Sequence, residues 1–284
     1  MDQQIINLYD EYTHRPLSRQ EFLSRLTKMA GSTAAAMALL PMLEVNGAKA
    51  ATIPEEDLFT EQITYPGING NMQAYVARPK AEAKYPAVVV IHENRGLNGH
   101  IQDVARRAAT AGYLAIAPNA LSPLGGTPAD EDEARKLFQQ LKPEESLQNF
   151  IKVFDYLASR KDCNGNYGCV GFCWGGGMSN KLAVNVANLK AAVAFYGAQP
   201  DAADVPKIKA AVQLHYAGLD ERIDAGIPAY ETALKAAGTR YELYMYDNVN
   251  HAFHNDTAPT RYNEAAAKLA WQRTLDFFGK YLAK

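Results

Sequence analysis

Gly168-Cys169-Val170-Gly171-Phe172-Cys173-Trp174-Gly175-Gly176-Gly177 is the stretch whose reading decides the fold. Cys169 to Phe172 is short and apolar, as a buried strand should be. From Gly175 onward the chain opens a helix. Between them, Gly171-x-Cys173-x-Gly175 has the spacing of a nucleophile elbow, with Cys where Ser is commoner. In such a sharp strand-to-helix turn the residues two before and two after the nucleophile meet, and only Gly or something nearly as small fits. The helix aims its first amides at the thiol, which favours thiolate. The amide of Trp174 then points where an oxyanion would form. A Gly-rich turn holding an inert buried Cys is the plainer alternative. The strand–turn–helix context favours the elbow.

Outward from this turn, strands alternate with helices. Pro86 to His92 is a continuous apolar run, the mark of a central parallel strand covered on both faces. Ahead of it, Glu61–Tyr65 and Met72–Arg78 flank Pro-Gly and Asn-Gly turns and predict an opening hairpin. After it come a helix over 101–111 and a strand over 113–117. Helices over 130–140 and 144–159 follow, separated by Pro143. Beyond the elbow, strands are expected at Ala191–Tyr196, Ala210–Tyr216 and Tyr241–Tyr246. A helix over 228–237 closes on Gly238, and a long helix over 261–282 ends the pattern. This predicts one α/β domain over 51–284, a mostly parallel central sheet with helices on both faces. No internal repeat is visible.

The chain has 284 residues, 48% of them hydrophobic, enough for one large domain. A formal net charge of -2 with no basic stripe gives no sign of a nucleic-acid partner. Cys163, Cys169 and Cys173 do not make a disulfide framework, and whether Cys163 and Cys169 pair is left open. With no CxxC or His/Cys ligand cluster, no metal and no cofactor are expected. Residues 1–50 differ in character. Leu17-Ser18-Arg19-Gln20-Glu21-Phe22-Leu23 resembles a twin-arginine export signal, with Gln20 in place of the second Arg. An Ala-rich run from Met29 to Leu43 follows, and Ala48-Lys49-Ala50 fits a small-x-small cleavage site. The run is too short and weak for a membrane span. A periplasmic location is therefore expected, with a cytoplasmic protein that keeps an amphipathic N-terminal helix as the alternative.

Nucleophile, acid and His follow in that order, each in a loop at the carboxyl end of a strand. That is the α/β-hydrolase order, at the sheet edge where ligands bind. The acid is expected at Asp220, with Asp224 and Asp247 as rivals. The base is expected at His251, with His254 as runner-up, whereas His215 falls inside a strand and reads as packed.

Gly171-Phe172-Cys173-Trp174-Gly175-Gly176, His215-Tyr216-Ala217-Gly218-Leu219-Asp220, Asn250-His251-Ala252-Phe253 and His92-Glu93-Asn94-Arg95-Gly96 together resemble the dienelactone hydrolase family. The likeness runs from about Gln73 to the C-terminus. It implies an α/β-hydrolase fold and a Cys173–His251–Asp220 triad. It also implies an oxyanion hole from the amides of Asn94 and Trp174, and a Glu93 that contacts the resting thiol. The substrate pocket departs from the family. The family's arginine four residues after the catalytic His is replaced by Asn255, and the loop Pro118–Pro123 lacks the other. Without two guanidiniums, bidentate carboxylate binding is lost, unless Arg95 replaces it from another wall. The expected reaction is hydrolysis of a small ester or lactone through a thioester. A general carboxylesterase or thioesterase, a non-catalytic binding protein and a thiol-redox protein are the rivals. The triad set disfavours the binding protein and the missing CxxC disfavours the redox protein. The only partner expected is the small-molecule substrate, with no stable membrane span.

Overall fold

The computed structural model describes residues 1–44 and 53–283. The cleavage-site expectation at Ala48-Lys49-Ala50 lies outside them. β1 (Leu58–Gly67) and β2 (Gly70–Pro79) form the expected antiparallel hairpin. β3 (Tyr85–Ile91), β4 (Leu114–Pro118), β5 (Cys163–Phe172), β6 (Leu189–Phe195), β7 (Ala211–Ala217) and β8 (Tyr241–Tyr246) complete one sheet. Its order is β1-β2-β4-β3-β5-β6-β7-β8. β2 pairs antiparallel with β4, and β4 through β8 pair parallel. The fold is an α/β sheet covered on both faces.

The period-2 alternation of a strand explains how the sheet builds two cores. On β3, Val89 and Ile91 join one core with Ile116, Phe150, Leu182 and Leu214. Val88 and Val90 join the other with Val104, Phe172, Phe277 and Phe278. The helices over these faces are α4 (Gly99–Thr110), α5 (Glu131–Phe138), α6 (Pro143–Ser159), α7 (Trp174–Asn185), α8 (Glu221–Asp224), α9 (Ile227–Ala237) and α10 (Glu264–Leu282). Among the boundaries that differ from expectation, two have a clear cause. β5 begins at Cys163, six residues before the apolar run, because Tyr85 extends the pairing across a register shift. The last helix begins at Glu264, because Asn263 caps it by accepting the Ala266 amide at 3.0 Å.

Ahead of the sheet lie α1 (Gln3–His14), α2 (Arg19–Ala30) and α3 (Thr33–Leu43). They share a small core of their own, including Tyr9, Tyr12, Phe22, Leu26, Leu40 and Leu43. Among the described residues no single helix is long and apolar enough to cross a membrane. α2 and α3 reach that length and composition only as a pair bent by 113°. α1 lies against the carboxyl edge of the sheet through polar contacts. Arg135 donates to the Tyr12 carbonyl at 2.9 Å and to its hydroxyl at 2.8 Å. Asn94 Nδ2 donates to the Thr13 carbonyl at 2.8 Å.

Candidate active site

Cys173 sits between β5 and α7 with φ 56° and ψ -114°, a conformation L-residues rarely adopt. The neighbouring glycines make it possible. A Cβ on Gly171 would lie 1.9 Å from the Gly175 carbonyl oxygen, and one on Gly175 would lie 2.3 Å from that of Ile91. The Cys173 amide donates to the Phe195 carbonyl at 3.0 Å and pins the turn to β6. The thiol is buried at the head of α7. Cys163, Cys169 and Cys173 are all free.

Trp174 is held by aromatic packing. Its ring stacks on His92 with centroids 5.5 Å apart, and Phe138 meets it edge-on at 4.9 Å. His92 Nε2 accepts the Ala120 amide at 3.0 Å, which puts the ring proton on Nδ1, facing the Glu93 carbonyl. Burial drives its pKa down to about 4, so the ring is a neutral spacer at pH 7.

His251 follows β8, and Asp220 follows β7. His251 Nδ1 donates to Asp220 Oδ2 at 2.5 Å, and both side chains are buried. Asp220 is held in turn by the Ile223 amide at 3.3 Å. With Nδ1 protonated, His251 Nε2 is the free lone pair, and among the described residues it has no hydrogen-bond partner. The rivals have other uses. Burial, then the Asp220 charge, raises the Asp224 pKa to about 6. Asp247 is exposed. His254 stacks on Phe172 and is kept neutral by burial. His215 bonds the Tyr246 hydroxyl and Gln213, deep in the sheet.

The loop after β3 carries Glu93, Asn94 and Arg95. Glu93 accepts from Asn255 Nδ2 at 2.7 Å and from the Tyr196 hydroxyl at 3.4 Å. Asn255, at the position where the family carries a substrate-binding arginine, thus spends its amide on Glu93. Arg95 donates to Asn94 Oδ1 at 3.1 Å and approaches Glu131 at 3.9 Å.

No local motif marks the thiol's nearest polar neighbour. His14, at the end of α1, places Nε2 3.0 Å from Cys173 Sγ. Its Nδ1 lies 2.9 Å from the Asp10 carbonyl oxygen and 3.1 Å from Asp10 Oδ1. The ring meets His251 edge-on with centroids 4.6 Å apart. A cavity of 260 Å³ beside the thiol is lined by His14, Asn94, Phe138, Trp174, Tyr196 and His251, with Arg135 and Arg222 at its wall. His14, Cys173 and His251 also place metal-capable donor atoms within 4.8 Å of one another. Two ligands of a tetrahedral zinc at about 2.0 and 2.3 Å stand about 3.5 Å apart. The His14–Cys173 separation of 3.0 Å lies within hydrogen-bonding distance.

A buried thiol on a glycine-walled elbow, with an Asp-bound His after the last strand, defines an α/β-hydrolase. A model of the dienelactone hydrolase family matches residues 72–282, and the chain belongs to that family. It is 34% identical over 247 residues to an Escherichia coli K12 protein named as a carboxymethylenebutenolidase, covering 81% of this chain and 90% of the relative. It is 36% identical over 235 residues to one so named in Salmonella typhimurium, covering 77% and 86%. A crystal structure named as a dienelactone hydrolase of Klebsiella pneumoniae superimposes with a TM-score of 0.71 at 32% identity, covering 79% of this chain and 99% of that one.

Proposed function

We propose that the protein hydrolyses small neutral esters or lactones, with Cys173 as nucleophile, His251 as base and Asp220 as its orienting acid. The observation that carries this is the Asp220–His251 bond facing a thiol on the elbow. The thiolate attacks the carbonyl, and the amides of Trp174 and Asn94 serve as oxyanion donors. Collapse gives a thioester and releases the alcohol; His251 then activates water to clear it. No cofactor enters this scheme. The preference for neutral substrates rests on the arginines missing at Asn255 and in the loop Pro118–Pro123. Asn255 and Arg95 are tied to Glu93, Asn94 and Glu131, while Arg135 holds Tyr12 and Arg222 faces Asp10. Turnover of p-nitrophenyl acetate and of a lactone panel tests the reading. Cys173→Ala should abolish turnover, and an acyl adduct should map to Cys173 by mass spectrometry. Full activity in Cys173→Ala, or a strong preference for an anionic dienelactone, would overturn the nucleophile or the substrate class respectively.

A further inference from the structure

We propose that His14, carried by α1 and held by Asp10, is a second catalytic imidazole that takes the Cys173 thiol proton, leaving His251 to activate water. This rests on the thiol-hydrolase reading above and assigns its proton steps. Three observations converge on it. First, the 3.0 Å contact is to His14 Nε2, and His14 repeats the Asp–His pattern of the triad. Asp10 takes its Nδ1–H as Asp220 takes that of His251. Both rings therefore present an unprotonated Nε2 to one sulfur. Second, His251 Nε2 is buried and unpartnered among the described residues. An imidazole engaged with the resting thiol would have spent that lone pair; here it stays free for a water. Third, α1 is fixed where it lies. Asn94 holds the Thr13 carbonyl, Arg135 holds Tyr12, and Gln3 Nε2 donates to Asn250 Oδ1 at 2.5 Å.

The charges around His14 agree. Asp10 and the Thr13 hydroxyl face it from its own helix, Cys173 from the elbow and His251 from the loop after β8. Arg222 stands behind Asp10 at 3.5 Å and near Asp220 at 3.9 Å, while Glu93, Arg95 and Arg261 line a small cavity shared with His14 and Cys173. Burial alone would lower the His14 pKa, but the sulfur and the Asp10 carboxylate raise it above the ordinary histidine value. That suits His14 to take up a proton at Nε2 during attack.

The bonds balance as follows. The S–H bond breaks and its proton passes to His14 Nε2. The sulfur pair forms the S–C bond and the carbonyl π pair moves to oxygen. Collapse breaks the C–O bond, and the leaving alkoxide takes the proton from His14. In the second half, water loses a proton to His251 Nε2 as its oxygen bonds the acyl carbon. The C–S bond then breaks with its pair on sulfur, and the His251 proton restores the thiol.

The test uses the full-length chain. Iodoacetamide alkylation of Cys173 is followed from about pH 5 to 9, spanning the ordinary His and Cys titrations. The p-nitrophenyl acetate burst separates acylation from deacylation. His14→Gln should slow neutral-pH alkylation and acylation by about 100-fold and leave deacylation nearly unchanged. His251→Gln should instead let the acyl-enzyme accumulate. Asp10→Asn should show a smaller loss in the same steps and a displaced alkylation profile, which guards against an unfolded His14 variant. Alkylation and acylation in His14→Gln equal to or faster than the parent would overturn the proposal and make α1 a cover. Full activity in Cys173→Ala would instead defeat the underlying thiol reading.

Discussion

On the proposal above, His14 and Glu93 would act on the Cys173 proton in opposite directions. His14 is a proton acceptor at 3.0 Å. Glu93 is an anion nearby, and both it and Cys173 raise the Tyr196 hydroxyl pKa, after burial itself. A carboxylate near a thiol disfavours thiolate. Glu93→Gln should therefore speed alkylation of Cys173 at neutral pH, by about threefold or more. His14→Gln should slow it. Opposite signs in the two variants, measured by alkylation across pH, would separate their roles; overlaid profiles in Glu93→Gln would leave it as a scaffold for Asn255. The elbow cysteine and its two glycines were legible because the turn's sterics leave so few residue types. Asp220 and His251 were legible because chain order and strand ends constrain them. His14 was not, since its contact joins positions 159 apart and no local pattern marks it.

At the scale of the element, Leu17-Ser18-Arg19-Gln20-Glu21-Phe22 carries a second meaning. Ser18 caps α2 by accepting the Glu21 amide at 3.1 Å, the first half of a capping box. Leu17 and Phe22 flank the cap and are both buried in the helical core, as a hydrophobic staple requires. The same residues that resemble an export signal thus also specify a helix start. The Ser-x-x-Glu spacing was the available signal for it. α1 in turn depends on α5. The Arg135 guanidinium lies 4.0 Å from the Tyr12 ring centroid while donating to its hydroxyl and carbonyl. Losing hydrogen bonds from a buried charged group weakens docking by about 1.5–3 kcal/mol. In Arg135→Ala, amide exchange in α1 should accelerate about tenfold or more, while β3 and β5 stay protected. Unchanged exchange in α1 would mean that the helix is anchored elsewhere.

Over the whole molecule, burial holds the His92 pKa at about 4 and that of His215 at about 3, against an ordinary value of 6.5. Such a group binds fewer protons folded than unfolded, so acid favours the unfolded chain. Their stabilising effect is fully present above about 6.5 and declines as pH falls, for His92 to about 4 and for His215 to about 3. The slope is about 1.4 kcal/mol per pH unit for each. Urea midpoints should fall steadily below pH 6.5, and the double variant His92→Gln/His215→Gln should flatten that fall. The export expected from residues 1–50 would also act at this scale. Cleavage after Ala50 would remove α1 to α3 and His14 with them, so a fraction cleaved there should acylate as slowly as His14→Gln. N-terminal sequencing and burst kinetics on fractionated cells check both statements. The sheet was legible because its apolar runs bury on two faces. The placement of α1 was not, because its contacts with the sheet domain are polar and scattered along the chain.

The helical core of α1 to α3 is separate from the two cores that flank the sheet. A unit with its own core and polar docking contacts can open while the rest stays folded. Each opening would withdraw one imidazole from the sulfur and leave the Asp220–His251 pair in place. Because the strap is part of the same chain, reclosure is first order and indifferent to dilution. The average reactivity of one thiol would then read out a local equilibrium, and mild denaturant or warming would retune the enzyme well before the sheet melts.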